Sequence, residues 1–220
     1  MNPELEGFSG RLPLFPLPNI VLFPHGLLPL HIFEPRYRAM TEAALEGDRL
    51  IGMAVLKPGW EADYQGNPPL HEVIGLGRIV QEERLDDGRF NLLVVGLARA
   101  RVVEELPSTP FRMAVVDVLG ERAPEGEAYE RRRKILHAFY SRKLREATPA
   151  GQEAPELPGD IPLGDLCDLV ASAFVSELDE RLSYLRETDV AVRCDRLMDF
   201  FKHIDPSSRP RSWPPENSAN

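Results

Sequence analysis

Residues 12–45, LPLFPLPNIVLFPHGLLPLHIFEPRYRAMTEAAL, decide the fold. Prolines at 13, 16, 18, 24 and 29 fix φ and remove backbone donors, so no long helix can run through the first half of this stretch. The apolar runs between them read as short strands at 12–17 and 27–33. At Glu34-Pro35 the pattern changes. Proline in a first helical turn costs no hydrogen bond, and Tyr37, Met40, Ala44 and Leu45 recur at helical spacing until Gly47, which predicts one helix.

From here to Leu119 the chain continues as apolar runs bounded by Gly, Pro and Asp, and predicts further strands near 50–56, 73–84, 89–103 and 111–118. Asp87-Gly88 is the clearest hairpin signal, because a two-residue loop needs positive φ. Such a loop sets Leu85 opposite Phe90 and Val80 opposite Val95, with Gly75, Gly77 and Gly96 as places where a bulge would slip the register. After Gly120 the period becomes helical, at 127–146, 163–175, 177–186 and 189–204, with Ser176 and Thr188 as expected N-caps of the last two helices. The expected architecture is α+β, with a β-rich lobe at 11–119, a helical lobe at 120–204 and a disordered tail at 205–220. Segments 57–70 and 147–162 read as loops.

The chain has 220 residues, 35 acids against 26 bases and a formal charge of −9, with the acid excess spread over both halves. That balance argues against a nucleic-acid clamp. Two cysteines, Cys167 and Cys194, make neither a disulfide framework nor a four-thiolate zinc site, and fit a reduced intracellular protein. Glu4 and Glu6 stand where a secretion signal needs positive charge, and no run approaches the ~20 apolar residues that span a bilayer. A soluble, cytoplasmic protein without membrane contact is expected.

Chemistry-bearing motifs are sparse. There is no phosphate loop followed by Lys and Ser or Thr, and Gly75-Leu76-Gly77 begins a dinucleotide fingerprint without its third glycine and inside a strand. No cofactor is expected. No serine lies in G-x-S-x-G and neither cysteine has a neighbouring histidine, which leaves no activated nucleophile. His25, His31 and Glu34 could converge on a metal only without any H-E-x-x-H spacing, and satisfied turn and strand-end histidines are the commoner outcome, so no metal is expected. The basic run 131–134 lies on a helix with Glu125, Glu127, Glu130 and Glu146 around it and reads as a solvated face, with RNA contact as its functional alternative. Arg99 and Arg101 read as partners of carboxylates such as Glu82 or Glu104. Trp60 and Tyr64 belong to no periodic core stripe, and aromatics in a polar loop either tether it or anchor a partner.

The quoted segment, with its L-P-L-F-P-L start and its F-P-x-x-x-L-P-L-H-I-F-E-P-R-Y-R core, resembles the opening of the amino-terminal substrate-recognition domain of Lon proteases. The resemblance continues through residues 74–77, the Asp87-Gly88 turn and 96–102, and more weakly through the helices near 166–203. It implies a PUA-like β-rich pseudo-barrel followed by a small helical bundle. In the full protease this domain is similar in role to a receptor for unfolded or tagged proteins, while separate ATPase and Ser-Lys peptidase modules act on them. Those modules have no counterpart in these residues, so protease activity is not carried over and a non-enzyme is expected. A related ligase-receptor branch carries paired C-x-x-C zinc motifs, which two isolated cysteines exclude. What remains resembles the stand-alone Lon-domain proteins of bacteria.

The expected function is therefore a non-catalytic module that binds unfolded or extended polypeptide, with proteins, including a protease or chaperone system, as partners. An RNA- or nucleotide-binding PUA-like module is the alternative. The expected contact surface joins Phe33, Glu34, Arg36 and Tyr37, at the strand-to-helix junction, to Trp60 and Tyr64, with aromatic faces giving area and Glu34, Arg36 and Arg38 giving orientation.

Overall fold

Pro13 and Pro16 lie inside a strand, β1 (Arg11–Leu17), and the ladder asks neither for a hydrogen bond. In the computed structural model, which describes residues 3–64, 66–107, 110–149 and 151–201, β1 pairs antiparallel with β6 (Arg112–Val118) over Arg11 to Leu14, and parallel with β3 (Leu50–Val55) over Leu14 to Leu17. The Val116 N–H donates to the Gly10 carbonyl at 2.8 Å and the Leu56 N–H to the Leu17 carbonyl at 3.0 Å. Backbone groups of even-numbered residues therefore face β6 and those of odd-numbered residues face β3. Pro13 faces β3 before that pairing begins, and Pro16 faces β6 after that pairing has ended.

The remaining strands are β2 (Leu27–Ile32), β4 (Val73–Arg84) and β5 (Phe90–Leu106), and the helix between β2 and β3 is α1 (Pro35–Glu46). The sheet runs β2-β5-β4-β3-β1-β6, and an additional β5–β6 pairing closes β1, β3, β4, β5 and β6 into a barrel. Strand β5 makes this possible: its first half pairs with β2, its end from Ala100 to Leu106 with β6, and β4 follows it from Phe90 to Arg101. Side chains sort by the pleat. Leu12, Leu14, Leu50, Ala54, Ile74, Leu76 and Ala100 fill one cluster, while Phe15, Leu17, Ile51, Met53 and Ile79 join Tyr37, Met40 and Ala44 of α1 in another. Burial of both faces explains why β1 and β3 read as continuous apolar runs.

The β4–β5 hairpin corrects the expected register. The Gly88 N–H donates to the Leu85 carbonyl and the Leu85 N–H to the Arg89 carbonyl, with Gly88 at φ +80°, so the loop holds three residues rather than two. Arg84, not Leu85, stands opposite Phe90. Two bulges follow. One leaves Val80 between the Ile79–Val94 and Gln81–Leu93 pairs, so it has no partner in Val95, and the other leaves Leu97 unpaired. The second bulge lies where segment 22–26 crosses β4 and β5. The His25 N–H donates to the Gly96 carbonyl and the Gly96 N–H to the Gly26 carbonyl, each at 2.8 Å. A Cβ on Gly75 or Gly96 would overlap the carbonyl oxygen of Leu22 or Phe23. These glycines serve close backbone approach, not a phosphate turn.

The described residues divide into two compact units, before and after the Gly120–Glu121 bond. The second contains α2 (Glu127–Ala147), α3 (Leu163–Phe174), α4 (Leu178–Arg186) and α5 (Val190–Phe201). The ends of the predicted helix at 202–204 and the tail at 205–220 lie outside the described residues. Leu136, Leu166, Val170, Leu182, Leu185 and Leu197 are buried. Arg181 donates to the carbonyls of Ser172 (2.9 Å) and Val175 (3.1 Å), which puts a cation at the C-terminal end of α3. Arg193 is fully buried between Asp168 and Glu121.

The expected caps are each one residue early. Glu177 precedes α4 without a side-chain cap bond, and Asp189, not Thr188, caps α5: its Oδ1 accepts the Ala191 N–H at 2.9 Å. Arg122 donates to Asp189 Oδ2 at 2.5 Å and, with the cap bonds, holds this carboxyl below the usual carboxylate range. A depressed folded pKa contributes stability that is present above the unfolded pKa and lost as pH falls through the folded one. Asp189→Asn, which keeps an N-cap oxygen but not the charge, should therefore lower the unfolding midpoint at neutral pH while leaving it nearly unchanged in acid, which flattens the acid limb of the midpoint measured against pH. An unchanged acid limb would remove Asp189 from the acid response.

Candidate functional site

Loop 57–69 is anchored at its base and near its middle. At the base, Leu56 and Leu70 form a bridge, the Lys57 N–H donates to the Pro69 carbonyl (2.8 Å), and Arg112 donates to the Pro68 carbonyl (2.8 Å). Within the loop, Trp60–Asp63 forms one 3₁₀ turn that brings the Trp60 and Tyr64 rings edge to face, centroids 5.5 Å apart. Both are half-buried and pack partly on the barrel cluster. The Tyr64 hydroxyl donates to Glu34 Oε1 at 2.9 Å, and Arg36 donates to the Tyr64 carbonyl at 3.2 Å and to Glu34 Oε2 at 3.0 Å. The Arg36 guanidinium lies 4.6 Å from the Tyr37 ring centroid and 4.9 Å from that of Tyr64. Burial, followed by the bond to Glu34, pushes the Tyr64 hydroxyl above its ordinary pKa, so it remains a donor at neutral pH.

Five of the six expected residues thus form one connected group: Glu34, Arg36, Tyr37, Trp60 and Tyr64. Their exposures differ. Tyr37 is 5% exposed, packs on Phe15 with centroids 4.4 Å apart, and supports the group from within the core rather than offering a contact face. Phe33 is exposed and lies beside His31 (6.3 Å), not on the Trp60–Tyr64 pair. It continues a row that the sequence reading left out: Leu27, Pro29 and His31 point outward from β2 at the strand period, and Leu27 is 47% exposed. The alternation L-x-P-x-H-x-F over 27–33 was the available signal. Because the Gly96 N–H bonds to the Gly26 carbonyl, even-numbered residues of β2 pair with β5, and the backbone groups of Leu27, Pro29 and His31 face the side that pairs with no other strand among the described residues.

The side chains of the other groupings weighed in the sequence take separate partners. His31 bonds Asn91 (2.8 Å) and Arg89 (3.2 Å), His25 lies in the turn against Gly96, and Glu34 serves Arg36 and Tyr64. No set of three or more His, Cys, Asp or Glu residues suited to a metal occurs among the described residues. Arg132 is paired with Asp195, and Arg133 with Glu130 and the Gly159 carbonyl, so half of the basic run is engaged within the helical unit. Glu82 pairs with Arg49 rather than with Arg99. A cavity of about 770 Å³ lined by His137, Ser141, Arg145, Glu153 and Glu156 belongs to the helical unit and contains none of the expected residues.

A β-rich pseudo-barrel with an appended edge strand, followed by a helical bundle, defines an α+β fold that solved structures share. The Lon N-terminal domain protein from Xanthomonas campestris matches 86% of this chain and 98% of its own with a TM-score of 0.63 at 21% identity. The N-terminal domain of Mycobacterium avium complex Lon protease matches 88% and 100% with a TM-score of 0.64 at 17% identity. The family model of the ATP-dependent protease La (LON) substrate-binding domain matches residues 11–203, and the chain belongs to this family. Lon protease 2 of Myxococcus xanthus is 29% identical over 196 residues, 88% of this chain and 24% of the relative. Lon protease of Xanthomonas oryzae pv. oryzae is 30% identical over 191 residues, 85% and 22%. The chain therefore spans about a quarter of the length of these curated relatives. No helix among the described residues is long and apolar enough to cross a membrane.

Proposed function

We propose that this protein is a non-catalytic receptor for extended or unfolded polypeptide, in the cytoplasm, and that it works beside a protease or chaperone system. One observation carries the reading: the aromatic loop is held in place against the β2–α1 junction by Glu34, Arg36 and Tyr64, next to an open strand edge with an outward apolar row. A preorganised aromatic surface gives area without ordering cost, and an open edge gives main-chain hydrogen bonds. The client lies along β2, its backbone meeting Leu27 and His31 and its apolar side chains meeting Leu27, Phe33 and Trp60. Pro29 supplies an acceptor but no donor at the centre of that edge. Family membership supports the same reading. The alternative, RNA binding, gains nothing from a basic run half engaged in ion pairs.

The test is fluorescence anisotropy of a labelled, reduced and carboxymethylated polypeptide. Phe33→Ala with Trp60→Ala should weaken binding by about tenfold or more, the effect of losing one to two aromatic anchors. Thermal unfolding of the same variant checks that the fold survives. Unchanged affinity in a folded double variant, or binding of a labelled RNA in preference to the polypeptide, would sink the proposal.

A further inference from the structure

Arg133, His137, Ser141 and Arg145 stand four residues apart on α2, so their side chains follow one another along one helix face. All four can donate hydrogen bonds. The first two hold the segment that leads to α3: Arg133 donates to the Gly159 carbonyl at 2.7 Å, and His137 Nε2 lies 3.2 Å from the carbonyls of both Leu157 and Pro158. A carbonyl only accepts, so Nε2 carries the ring proton. The strap's numbers fall as the helix's rise, so it runs antiparallel to α2 and its residues 156 to 153 continue past the next two donors. There the cavity of about 770 Å³ opens, with Ser141 and Arg145 on the helix wall and Glu153 and Glu156 on the strap wall. Among the described residues, Ser141 Oγ is buried without a hydrogen-bond partner and the Arg145 guanidinium forms no ion pair.

We propose that the Ser141 and Arg145 end of this row binds the carboxy-terminal end of a peptide whose last residues include a lysine or arginine. The strap's own bonds show what the row recognises, which is the carbonyls of an irregular, proline-containing main chain. One and two helical turns further on, the same row meets a guest carbonyl with the Ser141 hydroxyl and the terminal carboxylate with the Arg145 guanidinium, whose planar fork matches two oxygens. Glu153 and Glu156 on the facing wall repel a bare anion and attract a cationic side chain, so the guest carries both charges. The cavity volume falls within the roughly 300–1,000 Å³ of small-ligand sites and exceeds what a simple anion fills. Among the described residues no backbone N–H from 153 to 157 donates to a protein group, so the strap gives way there without losing a main-chain bond and uncovers the Ser141 hydroxyl. The site shares no residue with β2 or the aromatic loop and does not rest on the reading of that surface.

Fluorescence anisotropy of the full chain with a short peptide, labelled at its amino end and carrying lysine as its penultimate residue, tests this. The free acid should bind about tenfold or more tightly than the same peptide with an amidated end, the effect of one charge-assisted pair. Arg145→Gln should remove that difference, and Glu153→Gln with Glu156→Gln should remove the preference for lysine over norleucine at the penultimate position. Ser141→Ala should weaken the free acid severalfold while raising the unfolding midpoint of the protein alone, because it deletes a buried hydroxyl that has no partner. A serine with only a structural role would leave the peptide's affinity unchanged. No binding of the free acid, equal binding of acid and amide, or competition by acetate as strong as that by unlabelled peptide at equal concentration would overturn the proposal. So would an acid preference that survives Arg145→Gln in a folded protein. The comparison of acid with amide on the unaltered chain decides the matter whether or not the variants fold.

Discussion

Gly96→Ala should leave little folded protein. The added Cβ would overlap the Phe23 carbonyl oxygen and stand 2.9 Å from its carbon. The obstacle is backbone that also exchanges hydrogen bonds with residue 96, through the His25 N–H and the Gly26 carbonyl, so it cannot swing aside as a flexible side chain would. Relief requires lifting segment 22–26 from the sheet, and Leu22, fixed in one of the two strand-lobe clusters, resists that. The expected loss is about 3 kcal/mol or more, in the range of severe overpacking. Gly75→Ala, aimed at the Leu22 carbonyl, should behave alike, whereas Gly120→Ala, with nothing within 4 Å, should fall within about 0.5 kcal/mol of the parent. Urea denaturation separates these outcomes. A Gly96→Ala protein as stable as Gly120→Ala would mean that segment 22–26 does not cross the sheet as described.

Asp168→Ala is the second large effect. It leaves the fully buried Arg193 with Glu121 at 2.7 Å, a carboxylate 29% exposed to solvent and so less able to compensate a buried charge. Breaking one side of such a pair costs about 3 kcal/mol, because a desolvated guanidinium remains. Replacing both partners, Asp168→Leu with Arg193→Met, should recover most of that loss, since neither charge then needs solvation. A double variant that is less stable than Asp168→Ala would show that the ion pair itself, rather than the stranded charge, sets the energy. Chemical denaturation of the three proteins side by side gives the answer.

The elements were legible because their signals are local. Proline spacing, the change from period two to helical period after Gly120, and Pro35 at a first helical turn are all contained within short windows. What failed was long-range. Asp87-Gly88 suits a two- or a three-residue loop, and the bulge at Leu97 lies where segment 22–26 meets Gly75, Gly77 and Gly96, contacts that no short window of sequence contains. The cap at Asp189 was missed because Thr188 is an equally good capping residue by type, while Arg122, 67 residues away in sequence, favours its neighbour. In the candidate site, the two aromatics were visible as misfits in a polar loop. Their attachment through Glu34 and Arg36 spans 28 to 30 residues and leaves no periodic trace. Tyr37 lies within the core for the same reason: helix spacing announced its apolar face, and the motif alone could not say that Phe15 covers it.

Pro29 has a consequence beyond its own strand. An open edge bearing Leu27 and Phe33 is also a template on which a second molecule of the same protein could align its own β2, edge to edge. In such stacking each molecule would bring a gap in its donor row, and the two gaps would interrupt one shared ladder. A flexible guest chain can shift its own groups around a single gap. Pairing of this edge with its own copy would thus lose two donors from one ladder, where pairing with another strand would lose one.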